Sequence, residues 1–72
     1  MKLLVVGGGG REHAIIKKLK ENPSVTQIIA APGNGGIAAD AVCVPVGAKD
    51  IDGLVALAQR EQVDYAVVAP AD

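Results

Sequence analysis

The chain has 72 residues, half of them hydrophobic and 21% charged, with a formal net charge of −1; this suits one small folded domain and excludes a disordered tail. So small a charge gives no long-range pull toward nucleic acid or an anionic membrane, and no apolar run approaches the roughly 20 residues that span a bilayer. The single cysteine, Cys43, excludes an internal disulfide and any multi-cysteine metal site, so the reading is a reduced, cytoplasmic protein with an aliphatic core.

Leu3 to Val6 is a short, continuous apolar run, the pattern of a strand buried on both faces. Four glycines follow it, and from Arg11 to about Asn22 the pattern becomes helical. Ile15, Ile16 and Leu19 share a stripe there, and Asn22-Pro23 stops the helix. Val25 to Ala31 reads as a second strand ended by the turn residues Pro32 to Gly36. Val42, Val44 and Val46 alternate as a third strand, and Pro45, which lacks an N–H, assigns it to a sheet edge. Asp50 is placed to cap a helix from Ile51 to about Gln62, with Ile51, Leu54, Val55 and Ala58 as its buried face. Asp64 to Ala69 is the fourth strand. The order βαββαβ predicts an α/β fold: an open, mostly parallel sheet with helices on both faces, Rossmann-like, in strand order 3-2-1-4. There is no internal repeat or linker, and such a sheet normally continues beyond four strands. The chain therefore reads as the amino-terminal part of a longer, multidomain protein.

In such a sheet ligands bind beyond the carboxyl ends of the strands, where the strand order switches. Here the switch lies between strands one and four, so the glycine loop borders Ala69–Asp72. Glycines bring backbone close to a ligand, and the N–H groups of the helix behind them suit an anion, with phosphate the natural candidate. A dinucleotide fingerprint requires a glycine at its sixth position. Counting from Gly7 or Gly8, that position holds Glu12 or His13. No acidic residue ends strand two, and no Gly-Lys-Ser/Thr marks a P-loop, so a dinucleotide-dependent oxidoreductase is disfavoured. Arg11, a cation at the positive end of a helix, points to an anionic partner. Glu12 fits either first-turn electrostatics or substrate contact, and His13 reads as a hydrogen-bonded helix residue rather than a catalyst. Cys43 reads as a small core residue. Asn34-Gly35 is a turn whose place at the end of strand two makes it a second candidate wall.

With these segments placed, GGGGREHA (Gly7 to Ala14) and APGNGG (Ala31 to Gly36) show a resemblance. Together with the helix opening at Asp50-Ile51 and the closing Asp64–Pro70 segment, they make the whole chain resemble the amino-terminal domain of the phosphoribosylamine–glycine ligases (glycinamide ribonucleotide synthetases), in the ATP-grasp superfamily. The resemblance implies a cytoplasmic, monomeric carbon–nitrogen ligase of purine biosynthesis. In that family ATP activates glycine as an acyl phosphate, and the amine of 5-phosphoribosylamine attacks it. It implies ATP and Mg2+ (or Mn2+) bound mainly outside these residues, and no ligase activity in this piece alone. Partners are the small-molecule substrates, with neither nucleic acid nor membrane. Substrate-binding residues, on the sugar-phosphate side, are expected at Gly8, Gly9, Gly10, Arg11, Glu12, Pro32, Gly33, Asn34 and Gly35; no catalytic residue or metal ligand is expected here. Where the family has an acidic residue directly after the strand-four proline, this chain has Ala71, and Asp72 one place later is the candidate substitute. The alternative reading is a non-catalytic nucleotide- or sugar-phosphate-binding module of the same fold.

Overall fold

The computed structural model describes residues 1–47 and 49–68. Strand β1 (Lys2–Gly7) lies inside a four-stranded sheet between β2 (Gln27–Pro32) and β4 (Tyr65–Val68), and β3 (Val42–Cys43) forms the far edge beyond β2. All three pairings are parallel, with Leu3 opposite both Ile28 and Tyr65. The order is 3-2-1-4, as the alternation of elements predicts. Helices α1 (Gly10–Leu19) and α2 (Ile51–Glu61) complete the α/β architecture.

The side-chain alternation of β1 divides the core into two layers. Leu4 and Val6 join Ile29, Ala31 and Leu57 on the α2 side, while Val5 joins Ile28, Ala30, Ile16 and Ile37 on the α1 side. A strand buried on both faces needs no polar residue, which is why KLLVV shows none between its ends. The amino-terminal edge is tied by backbone and side-chain bonds. Lys2 N–H donates to the Asp64 carboxylate at 2.7 Å, and Asp64 N–H donates to the Lys2 carbonyl at 2.7 Å. Thr26 N–H reaches the Met1 carbonyl at 2.8 Å.

Four elements depart from the sequence reading. Strand β3 stops at Cys43, because Pro45 cannot donate to the ladder. Val44 N–H makes one further bond to the Ala30 carbonyl at 2.9 Å, and Val46 N–H then turns back to Val44 at 2.7 Å. Helix α1 ends at Leu19. The stretch to Asn22 is a tightened turn, with Glu21 N–H on the Lys18 carbonyl and Asn22 N–H on that of Leu19. Helix α2 is rotated relative to expectation: Leu57 is buried and packs with Leu54 and Ala58, whereas Ile51 and Val55 are exposed. Apolar residues occur on more than one side of this helix, so their spacing fits both rotations and the sheet decides between them. Strand β2 begins at Gln27, two residues late. Between β2 and β3 a single 3-10 turn, Ile37–Ala39, carries the buried Ile37 into the α1-side core. The expected end of the fourth strand at Ala69, and the segment Pro70–Asp72, lie outside the described residues.

Candidate functional site

Two glycine loops meet at the carboxyl ends of β1 and β2. Gly7 leaves β1 at φ +130°, a region that L side chains rarely adopt. A Cβ there would collide with Glu12, whose carboxylate is turned back across the loop. Gly8 is required for another reason: its Cβ would stand 2.6 Å from the Gly33 carbonyl oxygen, so the loops touch backbone to backbone. Gly33 N–H donates to the Gly7 carbonyl at 3.1 Å, and Asn34 Nδ2 donates to the Gly8 carbonyl. Gly33 itself has φ +71°, and a Cβ on it would strike Cys43 Sγ.

Three further glycines of the two loops are different. At Gly10 and Gly35 a Cβ would meet nothing within 4 Å, and at Gly9 only the Glu12 carboxylate, at 3.2 Å. Each loop therefore has one glycine packed against the other loop, Gly8 or Gly33, and at least one on an open surface. Gly9 is the N-cap of α1 and provides no side-chain cap. Its carbonyl accepts the His13 N–H at 3.1 Å, but the first-turn N–H groups receive no acceptor from a cap side chain. Arg11 projects from this exposed first turn, while Glu12 is half-buried against the loop, the position that suits a first-turn acid. Pro32, Asn34 and Gly35 are exposed beside them. The structure thus brings Gly8, Gly9, Gly10, Arg11 and Glu12 to the same edge as Pro32, Gly33, Asn34 and Gly35. Asp72, the remaining candidate, lies outside the described residues.

Asn34 does more than turn the chain. While its amide nitrogen holds Gly8, its Oδ1 accepts the Ile37 N–H at 2.8 Å, and its carbonyl accepts from Cys43 Sγ at 3.6 Å. Cys43 is accordingly half-buried, in contact with the α1-side core and with the loop.

The sequence reading passed over Asp40, which follows the 3-10 turn. Its carboxylate accepts from Lys20 at 2.9 Å and Lys17 at 3.2 Å, and lies 3.0 Å from His13 Nε2. Hydrogen bonds from Lys20, then His13 and Lys17, hold its carboxyl well below the usual carboxylate range. His13 is thus a hydrogen-bonded helix residue, as expected. His13, Lys17 and Lys20 stand three or four residues apart on α1 and so share one side of the helix. Asp40 could not be matched to them from the sequence, because it lies 20–27 residues away along the chain.

A cleft of about 150 Å³ lies at the opposite, amino-terminal end of β2, lined by Lys20, Val25, Thr26, Gln27, Ile28 and Asp40. Its two charged residues are already paired with each other. Among the described residues no group of three or more His, Cys, Asp or Glu could hold a metal ion, and no helix is long and apolar enough to cross a membrane.

Comparison with known proteins gives the same frame. Residues 1–72 match the model of the family described as phosphoribosylglycinamide synthetase, N domain. The chain is similar to the phosphoribosylamine–glycine ligase of Xylella fastidiosa, at 56% identity over 97% of this chain and 17% of the relative. It is 51% identical to the enzyme of that name in Xanthomonas campestris and 47% identical to that in Caldanaerobacter subterraneus, each over 97% of this chain and 17% of the relative. The chain thus spans about 17% of the length of these relatives. With its whole length matched and its two glycine loops joined at one sheet edge, the chain belongs to the phosphoribosylglycinamide synthetase N-domain family.

Proposed function

We propose that this chain is the amino-terminal, substrate-binding domain of a longer, cytoplasmic ligase that joins glycine to 5-phosphoribosylamine, with ATP hydrolysed to ADP and phosphate. The observation that carries this reading is the joined pair of glycine loops in a chain whose curated relatives are phosphoribosylamine–glycine ligases. The open surface at Gly9, Gly10 and Gly35 lets a sugar phosphate approach bare backbone. The first-turn N–H groups of α1 and the Arg11 guanidinium then face its phosphate. Asn34 and Pro32 form the opposite wall, and Glu12 shapes the loop from behind. ATP and Mg2+, which activate the glycine carboxylate, are held by residues beyond this chain. What these residues contribute is orientation of the amine donor.

The test is an assay of ADP release with glycine, ATP and phosphoribosylamine, on the full-length protein and on this chain alone. Full-length turnover with none from the isolated chain is expected; turnover by the isolated chain at a comparable rate sinks the division of labour. For the site, titration calorimetry with ribose 5-phosphate should show Arg11→Ala weakening binding by about 1.5–3 kcal/mol, the scale of hydrogen bonds to charged groups. The unliganded unfolding midpoint should move little. Unchanged affinity with a sharp loss of stability would make Arg11 a structural residue.

A further inference from the structure

The contacts around the second loop close into a ring. Asn34 joins the Gly8 carbonyl to the Ile37 N–H, and Ile37 opens the 3-10 turn that delivers Asp40. The Asp40 N–H is fixed on the Ile37 carbonyl at 2.8 Å, and the Asp40 carboxylate meets His13 at 3.0 Å. His13 N–H returns to the Gly9 carbonyl at 3.1 Å, one residue from the start of the circuit. The His13 ring also lies against Gly36, where an added Cβ would be 3.3 Å from Cε1 and the Asn34 Oδ1 equally close. Ile37 is fully buried at the centre of the circuit, and the Asp40 side chain is only 16% exposed.

We propose that His13 and Asp40 are positioning residues, which lock the loop after β2 onto α1 and so fix the spacing between the Gly9–Arg11 and Asn34–Gly35 walls of the sugar-phosphate site. The proposal rests on the functional reading above, but its geometry does not. Neither side chain need touch the substrate. Asp40 is reached from α1 by three groups, His13, Lys17 and Lys20, of which the lysines extend from more exposed positions (63% and 46%). His13 also lies beside the loop at Gly36, next to Asn34. Cutting the ring at Asp40 removes the polar tie between loop and helix but leaves the Gly8–Gly33 backbone contact, the Asn34–Gly8 bond and the packing of Ile37 with Ile16. The site should widen rather than vanish.

The experiment compares Asp40→Asn, Asp40→Glu and His13→Gln in the full-length protein, with Lys18→Ala as control; Lys18 pairs only loosely, at 3.9 Å, with the exposed Glu21. Steady-state constants are measured for each substrate separately, with hydrogen exchange followed over residues 7–13 and 33–41. Asp40→Asn should raise the KM for phosphoribosylamine roughly tenfold through misplacement of the walls, leaving kcat and the KM values of ATP and glycine within about twofold. Exchange should accelerate in both segments together. Asp40→Glu, which keeps the charge, should recover part of the loss. His13→Gln, which should fold even if Asp40→Asn does not, should give a smaller rise in the same constant. Lys18→Ala should change nothing.

A fall in kcat with every KM unchanged, or faster exchange confined to residues 33–41, would overturn the proposal and leave the network as a stability element. If the unaltered protein neither turns over nor binds ribose 5-phosphate, the functional reading fails and the positioning role with it. If the unaltered protein binds and Asp40→Asn binds equally well, the positioning role alone is wrong.

Discussion

Both helices follow a parallel strand, yet they begin by opposite means. Helix α2 opens at Asp50, whose carboxylate accepts the Gly53 N–H at 3.0 Å and closes the terminus with its own side chain. Gly53 is part of that closure, because a Cβ there would press on the Asp50 carboxylate at 2.5 Å. Helix α1 opens at Gly9, which has no side chain to offer. A self-capped terminus is complete without a ligand, while one built from glycine and bordered by an open surface has room for an anion. The difference teaches which of two similar βα junctions is structural and which is available to chemistry.

The strongest test of the comparison is whether the helices are otherwise equivalent. Each is anchored by one buried apolar residue, Ile16 at 0% exposure in α1 and Leu57 at 2% in α2. Truncating either to alanine should cost about 2–5 kcal/mol, a large share of the stability of a domain this small. Urea melts of the two variants measure it. If Ile16→Ala costs less than about 1 kcal/mol, α1 is not held by its core face, and the network around Asp40 carries more than assigned here.

Within the α1 entrance, two glycines two residues apart should behave oppositely. Gly8→Ala forces a Cβ onto the Gly33 carbonyl and should destabilise by about 1–3 kcal/mol, as overpacking does. Gly10→Ala has open space and a helical position, so it should be neutral or stabilising by up to about 1 kcal/mol. On the functional reading, the methyl group at position 10 enters the volume left for the ligand. Gly10→Ala should then hold or raise the melting midpoint while weakening ribose 5-phosphate binding. Loss of both together would mean that the loop is only a fold element. At the other helix, Asp50→Ala removes the cap and should cost about 1 kcal/mol with no effect on sugar-phosphate affinity. A change in affinity there would erase the distinction between the two termini.

How much of this was legible in the sequence follows from which interactions are local. Both helices and the Asp50 cap came from patterns within a few residues, the strand order followed from the succession of elements, and the structure keeps them. The loop residues Gly8–Glu12 and Pro32–Gly35 were placed at one edge by topology alone. What topology could not say is which glycine serves what. The sequence GGGG treats as equal four positions that meet, in turn, Glu12, the Gly33 backbone, Glu12 at a looser distance, and empty space. The rotation of α2 was lost because apolar spacing allowed two faces, and β3 was overextended because alternation outweighed Pro45. Asp40 stayed hidden because its partners are defined only by the packing of α1 on the sheet.

The smallest expected effect concerns the flanks of the helices and appears only in acid. Helix α1 is tied sideways to a loop through Asp40, faced by His13, Lys17 and Lys20, whereas nothing comparable joins α2 to a loop among the described residues. Because these partners depress the folded-state pKa of Asp40 below its ordinary value of 3.8, the carboxylate stabilises the fold at any pH above that value. That contribution declines as pH falls below 3.8 toward the lower folded value, because the proton then binds the unfolded chain first. Other carboxylates titrate in the same range, so the quantity to follow is the difference between the unaltered protein and Asp40→Asn. Thermal melts from about pH 5 to about pH 2 should show the unaltered protein ahead by a constant margin down to about pH 4, and a shrinking margin below. Half-exposed lysines and solvent screening keep the margin small. A margin that grew with acidity would have the wrong sign for a carboxylate stabilised in its charged form. One that stayed flat to the lowest pH would show that Asp40 gains nothing from its three partners, and α1 would then be no more firmly tied at its flank than α2.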